Sequence, residues 1–199
     1  VSTRAAVIAG EGDHFCAGLD LSALQERTAM DGLYHSRMWH RAFNAIEKGN
    51  VPVVAALHGA VVGGGMELAS SCHIRVADET AFFAFPEGTR GIFVGGGGSV
   101  RAPKLIGEHR MLDMMLTGRV YKAAEAVPIG FAQYLVAPGE ALAKAMELAQ
   151  RIATNAELTN YALMHALPRI AEQPNDHGFF TEALMAAIVE TTPEAQQRV

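Results

Sequence analysis

The sequence predicts an α/β core followed by an all-helical C-terminal region, and three observations predict it. Short apolar runs bounded by Gly and Pro alternate with stretches whose apolar residues recur at helical spacing. Glycine turns lead from strand-like runs into good helix formers, and the pattern after Pro138 is helical throughout.

The elements follow in order. Arg4 to Gly10 reads as a short buried strand, an apolar run that stops at Gly10-Glu11-Gly12. From about Asp31 to Lys48, Leu33, Met38, Trp39, Ala42, Phe43 and Ile46 fall at helical spacing, and Gly49-Asn50 supplies the stop. Pro52 to His58 is a second buried strand, running through Gly59 into Gly63-Gly64-Gly65, after which Met66-Glu67-Leu68-Ala69 restores helix. Ile74 to Ala77 and Ala81 to Phe85 read as further strands. Gly95 to Gly98 opens another helix through Leu105, on whose heels Met111, Met114 and Met115 read as core filler. Tyr134 to Val136 is the last strand, and Leu142, Ala143, Ala145, Met146, Leu148 and Ala149 then form an amphipathic helical face.

Composition narrows the function. Of 199 residues, half are hydrophobic and 19% charged, which is globular rather than disordered. The net charge of -5 and 16 scattered basic residues give no footprint for nucleic acid, so no nucleic-acid partner is expected. Cys16 and Cys72 stand outside any CxxC spacing and no His pair has zinc-ligand spacing, so neither a disulfide framework nor a metal site is expected. No apolar run reaches membrane-spanning length and Val1-Ser2-Thr3-Arg4 lacks a signal-peptide pattern; a soluble, cytoplasmic protein with no membrane partner is the expectation.

Chemistry concentrates in three stretches: His14-Phe15-Cys16-Ala17-Gly18-Leu19-Asp20-Leu21, Gly59 through Ala69, and Phe85-Pro86-Glu87 through Gly98. Glycine at a strand-to-helix turn admits close approach of backbone to a ligand, and the free N–H groups of the helix that follows attract negative charge. One such stretch alone reads equally as a tight turn; three, each beside a carboxylate, do not. Gly63-Gly64-Gly65 is not GxGxxG, since Leu68 stands at the last glycine position, and Gly95 to Gly98 lacks the Lys-Ser/Thr of a phosphate loop. GxSxG and HExxH are absent as well. His14, His58 and His73 near these stretches read as packing or capping residues, and Arg119 as an interface or coenzyme contact.

Together, FCAGLDL, HGAVVGGGMELA and FPEGTRGIFVGGGGSVRAPKLIG resemble the crotonase family, the enoyl-CoA hydratase/isomerase superfamily, over about Arg4 to Val136 and more weakly through the helical tail. The resemblance implies a crotonase-like spiral of ββα units over residues 1–137 and a C-terminal helical region, 138–199, serving oligomerisation. It implies an oxyanion hole from the backbone N–H groups of Leu19 and Gly64, where fixed dipoles stabilise a thioester enolate. Glu67 and Glu87 match the two carboxylates that hold the reacting water, Glu67 assisting attack at Cβ and Glu87 delivering a proton to Cα. Ala17, Leu19, Asp20, Leu21, Gly63, Gly64, Pro86 and Gly95 match positions lining the acyl-coenzyme A site. Paired carboxylates in a partly dry site are expected to titrate as a coupled pair with proton affinity raised.

The implied activity is syn hydration of a 2-enoyl-CoA, with coenzyme A as part of the substrate and no other cofactor. Double-bond isomerisation, a hydratase-lyase reaction and acyl-CoA hydrolysis remain alternatives within the family, as does a catalytically idle crotonase-fold scaffold. Family members carry further strands and a helix before the position of Val1 and a helix after that of Val199, so both ends read as trimmed, with an uncovered sheet edge and a partly open pocket expected. They form trimers or hexamers. The apolar residues Leu163, Met164, Leu167, Phe179, Phe180, Leu184 and Met185 fit either that assembly or packing onto their own chain.

Overall fold

A computed structural model describes residues 3–20, 22 and 28–197 of the chain. The first strand β1 (Ala6–Ala9) leads to helix α1 (Ala29–Glu47), then β2 (Val53–Leu57), β3 (Ala60–Val62), α2 (Gly64–Ser71), β4 (Ile74–Asp78) and β5 (Phe82–Ala84). A 3-10 turn at Gly88–Arg90 precedes α3 (Gly98–Ile106), α4 (Glu108–Thr117), β6 (Tyr121–Lys122), α5 (Ala123–Ala126) and β7 (Tyr134–Val136). The tail is α6 (Ala141–Ala153), α7 (Glu157–His165), α8 (Leu167–Ala171), α9 (Asn175–Glu190) and α10 (Pro193–Gln196). No helix among the described residues is long and apolar enough to cross a membrane.

Two small sheets form the frame. The larger has strand order β1-β2-β4-β7 and all its pairings are parallel; the smaller has order β3-β5-β6, with β3 parallel to β5 and β6 antiparallel. β2 is buried along its whole length, as an inner parallel strand must be when both faces are covered. Its side chains divide by the two-residue period of a strand. Val53, Ala55 and Leu57 join Met66 and Ala69 of α2, Phe83 of β5 and the α4 methionines Met111, Met114 and Met115 in the main core. Val54 and Ala56 face Ala141, Ala145, Leu148 and Ala149 of α6. The first helix of the tail therefore completes the α/β packing.

Strands β3 and β6 lie where no strand is read from the sequence. At three and two residues they are too short for a period-two pattern to register. In α6, Leu142 and Met146 of the expected apolar face are 51% and 44% exposed; three alanines and Leu148 make the contact with the sheet. On α1 only Phe43 is buried, and Leu33 and Met38 are exposed. The prolines of the tail sit at helix starts, Pro168 and Pro193 in first turns and Pro174 as a cap, where the missing N–H costs nothing. Of the tail's apolar residues, Met164 is buried, whereas Leu163, Leu167, Phe179, Phe180 and Leu184 stay exposed rather than folding onto their own chain.

Buried Arg75 of β4 fixes the far end of α2. Its Nη1 donates to the carbonyls of Cys72 (2.5 Å) and Ala69 (3.5 Å), and its Nε donates to Phe131 O (2.5 Å). Burial lowers its pKa to about 10, which leaves it charged at neutral pH, while burial pushes the neighbouring Cys72 thiol up to about 11. Arg75→Met strips those carbonyls of their donor and is expected to cost about 3 kcal/mol, read as a lower urea midpoint with an unchanged slope.

Candidate active site

The short strand β3 builds the site. On one side it pairs in parallel with β5, Val62 opposite Ala84, so both strands end at the same level: β3 runs into Gly63 and α2, β5 into Phe85-Pro86-Glu87. On its other side a parallel bridge joins Val61 to Cys16, with Cys16 N donating to Ala60 O and Val62 N to Cys16 O, each at 3.0 Å. Three segments far apart in sequence are thereby brought to one edge. A cavity of about 540 Å³ opens there, bordered by all three and by α1 and the 92–96 loop.

Gly63 makes the turn out of β3 with φ 54°, a left-handed value that disfavours side chains, and a Cβ there would stand 2.7 Å from Glu87 Oε1. Its N–H is held by Ala84 O at 2.9 Å. Gly64 is the first residue of α2, so its N–H has no carbonyl of a preceding turn to bond. A Cβ built on Gly64 would lie 3.5 Å from Leu19 N, which places the two backbones side by side at the cavity. Neither amide meets an acceptor among the described residues. Two free N–H groups, one at a helix N-terminus, can take an anionic oxygen.

Glu67, in the first turn of α2, is 6% exposed, and its Oε1 accepts from Gly96 N (2.7 Å) and Gly98 N (2.8 Å). The glycines make room for this approach: a Cβ at Gly96 would come 2.7 Å from Glu67 Oε2 and push the carboxylate aside, and one at Gly98 3.0 Å from Glu67 Cγ. Burial raises the Glu67 pKa, against the opposing pull of these amides and of the Arg101 and His40 charges. Glu87 is 8% exposed, and its buried Oε2 has no partner among the described residues. Burial raises its pKa, and the charge of Glu67 adds to the rise. Two neighbouring carboxyls whose proton affinities are both raised, Glu87 in part by the charge of Glu67, are suited to proton transfer.

Of the remaining expected residues, Ala17, Leu19, Asp20, Gly63, Gly64, Pro86 and Gly95 border the cavity. Asp20 sits at its edge, its Oδ1 accepting from Ser22 N (2.9 Å) and Oγ (2.7 Å), bonds that lower its pKa. Leu21 lies outside the described residues. His14 and His73 accept backbone N–H bonds from Ala60 and Val53, and His58 pairs with Gly12 O, so all three brace loops. Arg119 bonds Asp113 and Glu125 and lies over the Tyr121 ring, away from the cavity.

Sequence reasoning missed the wall contributed by α1, where Trp39 and Phe43 stack with centroids 5.4 Å apart, and the grip of Gly96 and Gly98 on Glu67. The signal for the second was four consecutive glycines, more than a turn requires. With α1, Ile92, Phe93 and Val94 complete a mainly apolar lining. No group of three or more His, Cys, Asp or Glu among the described residues is placed to hold a metal.

The family model for enoyl-CoA hydratase/isomerase matches residues 1–197. The chain belongs to that family, the crotonase superfamily. Its fold agrees with solved crotonase structures. A crystal structure from Rhodopseudomonas palustris CGA009, provisionally named an enoyl-CoA hydratase, is 60% identical with a TM-score of 0.96 over 98% of this chain and 76% of that one. The enoyl-CoA hydratase of Thermoplasma volcanium GSS1 is 30% identical with a TM-score of 0.91, over 98% of this chain and 78% of that one. Among curated relatives, the fatty acid oxidation complex subunit alpha of Shewanella amazonensis is 42% identical over 146 residues, 72% of this chain. This crotonase-family chain spans about a fifth (21%) of that relative's length.

The raised carboxyl pKa values set a pH dependence. A group that binds its proton more tightly when folded stabilises the fold fully below its unfolded value, here 4.5, and that contribution is lost as pH rises through the folded value. Glu87→Gln keeps the shape without the charge. Its melting temperature is expected to exceed that of the parent near neutral pH, with the difference shrinking as pH falls through the raised folded value toward 4.5 and lost below it; thermal melts across pH check this.

Proposed function

We propose that the protein hydrates a 2-enoyl-CoA. The observation that carries the reading is the placement of two buried carboxyls, Glu67 and Glu87, in one cavity with the amides of Leu19 and Gly64, which meet no acceptor among the described residues. The thioester oxygen of the substrate accepts from those two N–H groups. As water attacks Cβ, Glu67 takes its proton and the electron pair of the double bond moves toward the carbonyl. The resulting enolate oxygen is stabilised by dipoles already in place, which need no reorganisation. Glu87, whose pKa is raised by burial and by the charge of Glu67, delivers a proton to Cα. The product is a 3-hydroxyacyl-CoA; water is added, nothing is oxidised, and coenzyme A enters only as part of the substrate.

The wall of Trp39, Phe43, Ile92, Phe93 and Val94 suits an apolar acyl chain, and the names of the Shewanella relatives support a fatty acyl substrate. Ala17, Asp20, Pro86 and Gly95 line the bound thioester in this reading. The exposed apolar residues of α7 to α9, Leu163, Phe179, Phe180 and Leu184 among them, meet further copies of the chain in a trimer or hexamer.

Crotonyl-CoA tests the reading. Loss of the conjugated thioester absorbance is expected with the parent, and Glu67→Gln and Glu87→Gln are each expected to lower kcat about 10²–10⁴-fold. Parental turnover in both variants refutes the assignment. Conversion of a 3-enoyl-CoA without hydration of crotonyl-CoA identifies an isomerase instead.

A further inference from the structure

Arg101 of α3 is 7% exposed and does not border the cavity. Its guanidinium nevertheless spends all three nitrogens on two elements that do. Nε donates to Glu47 Oε2 (2.8 Å) and Nη2 to Asn44 Oδ1 (2.6 Å), both on α1, while Nη1 donates to the carbonyl of Gly96 (3.1 Å). The fit is close: a Cβ on Gly97 would stand 2.3 Å from Nη1. Gly96 thus takes Arg101 on its carbonyl and gives its N–H to Glu67, and Gly98, two residues on, gives its N–H to the same oxygen.

We propose that Arg101 is the positioning residue for Glu67: by clamping the Gly96–Gly98 loop to α1 it fixes the two amides that aim the Glu67 carboxylate into the cavity. A glycine run has the greatest backbone freedom of any sequence, so the loop that grips Glu67 needs an outside restraint. The planar fork of arginine supplies one that a lysine ammonium, a single point of charge, does not. This inference rests on the reading of Glu67 as the residue that takes the proton of water.

The consequences extend to titration. Glu67 faces Arg101 from α3 and His40 from α1, which favour its ionised form, and its charge in turn raises the pKa of Glu87 in the turn after β5. Loosening the clamp weakens the two amide bonds to the carboxylate, and removing Arg101 also removes its charge. Both changes raise the proton affinity of Glu67 and move the acidic limb of kcat to higher pH.

The test compares the parent with Arg101→Gln, Arg101→Lys and Asn44→Ala in the full chain. Measurements are kcat and KM on crotonyl-CoA against pH, and the carboxyl ¹³C titration of Glu67, assigned through Glu67→Gln. For Arg101→Gln the expected result is a kcat lower by about 10–100-fold with KM little changed, and a Glu67 titration displaced upward. Arg101→Lys restores the charge, so the titration returns toward that of the parent while kcat stays low. Asn44→Ala removes one anchor and no charge, and is expected to show the same pattern as Arg101→Gln, reduced in size. A cooperatively melting Arg101→Gln with parental kcat and parental Glu67 titration overturns the proposal. If Arg101→Gln does not fold, Asn44→Ala decides: parental behaviour overturns the clamp, a displaced Glu67 titration upholds it. A parent protein inactive on crotonyl-CoA defeats the hydratase reading separately, and the carboxyl titration still decides the role of Arg101.

Discussion

The parallel ladder on both sides of β3 is the constraint on which the candidate site depends. A strand of three residues, Ala60–Val62, carries Cys16 on one flank and β5 on the other. Because both pairings are parallel, the segments that leave them depart at one end. Leu19, Gly64 and Glu87 come from chain positions that only this register unites. A slip of one residue would reverse which side chains face the core and carry Glu87 away from Gly63, whose missing Cβ makes room for it. The frame behind is rigid for an ordinary reason: β2 is buried on both faces, between the main core and α6.

Against that frame the site holds its acidic groups under opposed influences. Burial alone drives both carboxyls toward the neutral form. Two loop amides and the arginine behind them restrain Glu67, whereas Glu87 keeps a buried oxygen with no partner among the described residues. The asymmetry matches the proposed division of labour, with the better-stabilised carboxylate accepting a proton and the less-stabilised one supplying it. Such an arrangement costs stability and is retained where chemistry needs it.

Much of this was legible in the sequence, for reasons that also explain the gaps. β2 and α2 announced themselves because a buried apolar run and a glycine turn leave strong local signatures. The triplet Gly63-Gly64-Gly65 and the carboxylates Glu67 and Glu87 stood out by type and spacing, and Gly63, Gly64 and both carboxylates border one cavity. β3 and β6 left no mark because their pairing energy comes from partners distant in the chain, not from local pattern. The helical period on α1 located the helix but not its surroundings: part of that apolar stripe lines a cavity and part is exposed. Arg101 was invisible for the converse reason: a single arginine in a helix reads as a surface residue until its partners Asn44, Glu47 and Gly96 are seen around it.

The central claim is that the main-chain amides of Leu19 and Gly64 converge on one oxygen beside the two carboxyls. A crystal structure of the protein with a saturated acyl-CoA, which cannot be hydrated, tests it most directly. The account predicts the thioester oxygen about 2.7–3.1 Å from both nitrogens, with Cα and Cβ turned toward Glu87 and Glu67. A thioester bound with its oxygen away from either amide, or with the acyl chain outside the cavity between α1 and the 92–96 loop, would contradict it.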